Sequence, residues 1–183
     1  MSARGAWLGE LMPELELPLT VERQVLHWFT LQNAGSEKAA LFSPENFPIY
    51  IWEFKPHRMF YGFPDVGTGV KIACHHLGSP AKASTINRNV SAEEVIVMQS
   101  LLENHFEARV NYSHSATCMY TNTPDENFII DYHPQYQNII IASPCSGHGF
   151  KFSSATGKVL CEMVSGKELS IDLSLFKIKR FYK

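Results

Sequence analysis

Long apolar runs are missing from this 183-residue sequence. No stretch approaches the ~20 consecutive apolar residues that a helix needs to cross a bilayer, so no membrane association is expected. Basic runs are missing as well. With 16 Lys and Arg against 18 Asp and Glu, the net charge of −2 argues against a nucleic-acid or membrane-surface partner. The C-terminal Lys177-Ile178-Lys179-Arg180 reads as a solvated end rather than a docking patch. Cysteine is scarce: Cys74, Cys118, Cys145 and Cys161 are widely spaced and form no Cys-x-x-Cys. Neither a zinc site nor a disulfide framework is therefore expected. The N-terminus lacks the layout of a signal peptide, and a reducing, cytoplasmic setting is the expectation. There is no internal repeat and no low-complexity segment.

What is present is the composition of a globular protein with a real core, 45% hydrophobic and 19% charged. The length suits one generous domain or two small ones. Strand signals run from Val21 to Gln32, Pro48 to Phe54, Met59 to Phe63 and Thr68 to His75, with Lys55-Pro56-His57-Arg58 and Pro64-Asp65-Val66-Gly67 as turns. Gly5-Ala6-Trp7-Leu8 reads as the end of a strand running into a helix. Ser91-Ala92-Glu93-Glu94 has the Ser and Glu of a capping box, and Val95, Met98, Leu101, Leu102 and Phe106 follow at helical spacing. Further strands are expected around Arg109 to Tyr120, Phe128 to Asp131 and Asn138 to Ala142. A last helix spans Phe150 to Val164 and stops at Gly166, with Cys161 on its apolar face as a small core residue. The fold class is α+β: an antiparallel sheet with a covering helix, followed by a strand, a tight turn and a helix.

Three polar elements carry candidate chemistry. The first is Ser146-Gly147-His148-Gly149-Phe150-Lys151, directly after an apolar strand. Its glycines leave backbone N–H groups bare at a helix N-terminus, a ready site for negative charge. Lys151 sits just inside that helix, where the macrodipole disfavours a cation. The second is Lys71, which alternation places on one strand face with Ala73 and His75. On spacing alone it reads as an edge-strand lysine facing solvent; the other reading is a partly desolvated cation over a reactive group. The third is Cys118, either a buried structural cysteine or a thiol that attacks an electrophile and needs a positive neighbourhood. His75 and His76 lie beside Cys74, but adjacent strand residues point to opposite faces, so no metal site is expected.

Several motifs, in order, resemble one family. Tyr61-Gly62-Phe63-Pro64, Gly69-Val70-Lys71 with His75, Cys118-Met119-Tyr120-Thr121 with Pro124-Asp125 and Phe128-Ile129-Ile130-Asp131, and Ser146 to Lys151 resemble the monomeric sarcosine oxidases. N-methyltryptophan and pipecolate oxidases share the same set. The resemblance implies a two-domain FAD-dependent amine oxidase that oxidises the C–N bond of secondary amino acids, with O2 as acceptor and H2O2 as product. It implies that Cys118 holds FAD covalently through a thioether, with Met119 and Tyr120 near the flavin. Ser146, Gly147, His148, Gly149 and Phe150 would lie against its pyrimidine end. It makes Lys71 the cation that assists oxygen reduction and Lys151 a grip on the substrate carboxylate. His75 and Tyr61 become active-site residues around the substrate.

The Gly-x-Gly-x-x-Gly that seats a dinucleotide pyrophosphate does not occur. The family's N-terminal basic residue for the substrate carboxylate has no counterpart either. The sequence thus resembles the C-terminal portion of such an oxidase, with 1–20 as the end of a flavin-domain segment, 21–108 as the substrate domain and 109–183 as the flavin-contacting segment. That last segment would be the strand-turn-helix of a Rossmann-like FAD-binding domain whose N-terminal part is absent. Two functions remain open. One is an oxidoreductase completed by a missing N-terminal flavin-binding half; the other is a non-catalytic remnant that at most binds a small amino acid. The isolated chain is expected to be inactive towards sarcosine.

Overall fold

The computed structural model describes residues 5–32 and 40–182. Residues 1–4 of the expected 1–20 segment, and Lys183 of the expected 109–183 segment, lie outside the described residues. The chain divides into two compact units, one of Arg23–Ser79 with Ile86–Cys118, the other of Met1–Glu22, Pro80–Thr85 and Met119–Lys183. The first is called the sheet unit here and the second the terminal unit.

The sheet unit is built on strands β1 (Thr20–Leu31), β2 (Tyr50–Lys55), β3 (Arg58–Phe63), β4 (Val70–His75) and β6 (Val110–Asn122), with the two-residue β5 (Ser79–Pro80) beside β1. Their order is β2-β3-β4-β1-β5, and β6 pairs with β1. The β2–β3, β3–β4 and β4–β1 pairs are antiparallel, as the short turns between the first three strands require. Strand β4 begins at Val70, later than Thr68, because Gly67 and Gly69 both take φ +97. The carboxylate of Asp65 receives the N–H groups of both glycines, at 2.7 and 2.8 Å.

Helix α2 (Ala92–Phe106) covers one face of this sheet. Its first turn forms the expected capping box: Ser91 Oγ accepts from Glu94 N, and the Glu94 side chain accepts from Ser91 N. Met98 and Leu102 are buried against Phe29, Phe60, Val70 and Ile72, with Val95, Leu101 and Phe106 at the margin. All five predicted apolar positions of the helix therefore face the core.

The terminal unit is centred on β7 (Ile129–Tyr132) and β8 (Ile140–Ser143), paired antiparallel with Ile130 opposite Ala142. Alternation gives this ribbon two apolar faces. Phe128, Ile130 and Ile140 meet Val159 and Met163 of α3 (Ser153–Val164) and Leu173. Ile129 and Ile141 meet Leu8 of the short α1 (Leu8–Leu11), Leu15 and Ile178. Ahead of α1 stands a 3-10 turn at Gly5–Trp7 in place of the expected strand end. The buried stripe of α3 is Thr156, Val159 and Met163. Cys161 lies off that stripe and is exposed, not in the core. No helix among the described residues is long and apolar enough to cross a membrane.

Candidate functional site

On the sheet face away from α2, alternation and register collect Tyr61, Phe63, Lys71, Ala73, His75 and Trp28. Lys71 is not on an edge strand, because β4 lies between β3 and β1. Its side chain is half-buried, and Nζ stands 4.8 Å from the Phe63 ring centroid and 5.3 Å from that of Trp28. None of the ion pairs among the described residues includes it. Tyr61 meets His75 edge-on, with ring centroids 6.0 Å apart. His76 falls one residue past the end of β4 with φ 52, so it turns back towards His75 and their centroids approach to 4.2 Å. The strand-alternation reasoning against that pair fails at this residue. No group of three potential metal ligands occurs among the described residues.

Cys118 ends the sheet unit's share of β6 and shares the strand face of His114, which stacks on Trp28. Burial raises the Cys118 thiol above its ordinary range, while the charge of Lys71 pulls it down. Cys74, also half-buried, has a cation acting on it in the same way, whereas at Cys145 a hydrogen bond takes the cation's place. Burial raises Cys74 against a smaller pull from Arg58, and Cys145 against a hydrogen bond from Ser143.

The remaining candidates lie in the terminal unit. Met119 and Tyr120 are half-buried on the last part of β6. Ser146 is buried with φ 50, and its N–H donates to Thr121 O at 2.9 Å. The N–H of His148 donates to Cys145 O at 3.3 Å. The turn is therefore less bare of satisfied donors than its sequence suggests. His148 stacks on Phe128, centroids 5.0 Å apart, and its Nε2 lies 3.0 Å from Glu126 O. Both glycines answer to packing. A Cβ on Gly147 would stand 2.6 Å from the Tyr120 ring, and one on Gly149 would overlap the carbonyl oxygen of Pro144. Phe150 and Lys151 are exposed. Lys151 belongs to a 3-10 turn, Phe150–Phe152, and α3 starts only at Ser153. Lys151 therefore stands just ahead of the helix proper, still at the positive end of its dipole, with Nζ 5.4 Å from the Phe152 ring centroid. Asn122 Oδ1, buried at the end of β6, has no hydrogen-bond partner among the described residues.

The sequence profile of FAD-dependent oxidoreductases (DAO) matches residues 2–163. The chain belongs to that family. Among curated relatives, monomeric sarcosine oxidase of Bacillus sp. (strain NS-129) is 37% identical over 182 residues, covering 96% of this chain and 46% of that protein. N-methyl-L-tryptophan oxidase of Salmonella dublin is 33% identical over 179 residues, covering 97% of this chain and 46% of that protein. Among solved structures, fructosamine oxidase from Aspergillus fumigatus (Amadoriase II) superposes with a TM-score of 0.71 at 23% identity, over 95% of this chain and 43% of that one. The chain thus spans about half the length of the relatives it matches.

Within this DAO-family chain, Lys71, Tyr61, His75 and Cys118 share the sheet unit, and Met119, Tyr120 and Ser146–Lys151 share the terminal unit. Sequence reasoning missed Trp28 as a neighbour of Lys71, and noted Phe63 only as part of a motif. Both are cross-strand partners, and pairing register is not written in a local pattern.

Proposed function

We propose that this chain is the substrate-side, C-terminal portion of an FAD-dependent amine oxidase acting on secondary amino acids such as sarcosine, with O2 as acceptor and H2O2 as product. The observation that carries the reading is Lys71 and Cys118 on one sheet unit. An ammonium with no carboxylate partner among the described residues acts on a half-buried thiol, in a chain about a third identical to sarcosine and N-methyltryptophan oxidases.

The residues present fit a flavin. A half-buried thiol whose rise on burial is partly offset by the charge of Lys71 suits covalent attachment of the cofactor, and Asn122 Oδ1, without a hydrogen-bond partner among the described residues, leaves an acceptor open. When bound, FAD supplies the two-electron oxidation of the C–N bond and the onward transfer to oxygen. Cys118 would hold it through a thioether, and Met119, Tyr120 and Ser146 to Phe150 would border it. We read β8, the turn and α3 as part of a Rossmann-like flavin layer. Lys71 presents a fixed positive charge to the anion that forms as oxygen is reduced, an effect worth roughly 3–4 kcal/mol by analogy with oxyanion donors. Lys151 and His75 bind the substrate, Lys151 through its carboxylate, and Tyr61 borders it. A cytoplasmic setting would keep Cys118 reduced before the cofactor arrives.

A second reading has its own support. No Gly-x-Gly-x-x-Gly lies in these 183 residues, so the pyrophosphate grip must come from another polypeptide segment. With that segment on a separate polypeptide the chain would be half of a split enzyme; without one it would be a non-catalytic remnant, at most binding a small amino acid.

The test is to produce the chain with FAD, alone and together with the flavin-binding N-terminal half of a sarcosine oxidase. A mass increase equal to FAD that disappears in Cys118→Ala, with peroxide formed from sarcosine or another N-methyl amino acid by the assembled pair, is the expected result. An assembled pair that carries FAD and forms no peroxide from any secondary amino acid would overturn the oxidase reading and favour the second.

A further inference from the structure

Lys71 faces an aromatic ring on each neighbouring strand. Phe63 on β3 and Trp28 on β1 are both directly opposite it in register, so all three side chains leave the same face at the same level. Beyond Trp28, His114 of β6 continues the row. Its ring lies 4.6 Å from the Trp28 ring at an interplanar angle of 10°. The order across four adjacent strands is therefore Phe63, Lys71, Trp28, His114. Both aromatic centroids lie inside the ~6 Å range in which a ring quadrupole attracts an ammonium.

The chemistry of this arrangement differs from an ion pair. A carboxylate beside Lys71 would hold the ammonium but cancel its field at any distance beyond the pair. Aromatic faces hold it through induced and quadrupolar attraction and carry no net charge, so the field outside the row survives. We propose that Trp28, braced by His114, is a positioning residue that with Phe63 fixes the ammonium of Lys71 in place without neutralising it. This inference rests on the reading of Lys71 as the cation that serves oxygen reduction.

Cys118 reports on the result within the chain itself, with no cofactor needed. The pH dependence of alkylation at Cys118, followed peptide by peptide by mass spectrometry, measures the field that Lys71 casts there. Lys71→Met gives the value without the cation: the thiol titrates higher and reacts more slowly near neutral pH. Trp28→Leu, which keeps apolar bulk but removes the π-face, is expected to move Cys118 part-way towards the Lys71→Met value. Its rate should slow on the order of two- to fivefold, the weight of one cation–π contact. Trp28→Phe is expected to restore the parent rate, which a loss of packing alone would not do. Where Trp28→Leu fails to fold, Phe63→Leu carries the same measurement from the other side. A Cys118 titration in Trp28→Leu equal to or lower than the parent's overturns the inference. The oxidase reading is judged separately: Lys71→Met in the assembled, flavin-loaded enzyme with oxygen reduction unimpaired would remove Lys71's catalytic role and leave the aromatic anchoring standing.

Discussion

Replacing Gly149 with Ala should destabilise the terminal unit more than any other single-methyl addition among its glycines. The backbone there has no positive φ to lose, so the effect is purely steric. A Cβ at this position would overlap Pro144 O and come within 2.6 Å of the Pro144 carbonyl carbon, where real Cβ contacts essentially never fall below 3.0 Å. Both offending atoms are backbone, so no rotamer change relieves them. Either Pro144 or Gly149 must shift, and each is tied. Ser146 N is bonded to Thr121 O, and Phe152 N to Gly149 O at 3.0 Å. Overpacking against a fixed wall typically costs 1–3 kcal/mol, and the tethered backbone puts this case at about 3. With a urea slope of about 2 kcal/mol per molar, the midpoint should fall by about 1.5 M. Gly157→Ala is the matched control. It lies inside α3 with nothing within 4 Å of its Cβ, so it should stabilise by up to about 1 kcal/mol. Urea unfolding followed by circular dichroism, with hydrogen exchange over β8 and α3 as the local probe, reads both. Gly149→Ala with an unchanged midpoint and unchanged exchange would refute the steric account of this turn.

Two further outcomes follow from buried groups. His27 is buried and bonded through Nδ1 to Ser115 Oγ at 2.9 Å, and burial lowers its pKa from 6.5 to about 4, against a smaller upward pull from Glu94. The unfolded chain therefore binds a proton between those values that the folded chain does not. Stability is full above pH 6.5, falls as pH drops towards 4, and the loss totals roughly 3 kcal/mol. Urea midpoints measured across that range should slope less in His27→Gln, and parallel slopes would contradict the assignment. Asp131 accepts from Lys177 Nζ and from the N–H of buried Ile178, both at 2.9 Å. Asp131→Ala strands that N–H and should cost about 2–3 kcal/mol. Limited proteolysis should then cleave around residues 174–182 while the sheet unit stays intact, and unchanged cleavage would show that the apolar contacts of Ile178 suffice.

The legible parts of the fold were those encoded over a few adjacent residues. The capping box at Ser91 and Glu94 and the apolar spacing from Val95 to Phe106 are local, and the helix lies where they put it. The hairpins from Tyr50 to His75 follow from two short turns between alternating strands. What was not legible is set by distant partners. Lys71 looked like an edge residue because nothing near it in sequence reveals that β1, some forty residues earlier, pairs beside β4. The packing need for glycine at 147 and 149 was not legible either, because Tyr120 and Pro144, which occupy the space a Cβ would take, are brought there by the fold. Cys161 was misplaced because Val159, Leu160 and Met163 surround it in sequence while the helix turns it away from their stripe. The oxidase motifs were legible as a resemblance, and the family match over residues 2–163 agrees with it.

The two faces of the sheet unit treat a cation in opposite ways, and the contrast bears on what Lys71 is for. Arg23 points to the face of α2, where its guanidinium meets Glu94 and donates to Asn87 O at 2.7 Å and Asn89 O at 2.6 Å. The Arg23 bond is the leading cause of the lowered Glu94 pKa, and the side chain of Arg23 is only 12% exposed. Such a cation is held by full neutralisation and acts as a structural tie between β1 and α2. Lys71, half-buried on the opposite face, could have been held in the same way by one acidic residue at position 28 or 63. Aromatic rings stand at both positions instead. Exchanging Trp28 for Glu should therefore leave the sheet folded, because Glu and Lys are a favourable cross-strand pair. It should also cancel the field at Cys118, so that the thiol titrates as it does in Lys71→Met. If Trp28→Glu leaves Cys118 as reactive as in the parent, the uncompensated charge is not what the aromatic row preserves, and its rings serve packing alone.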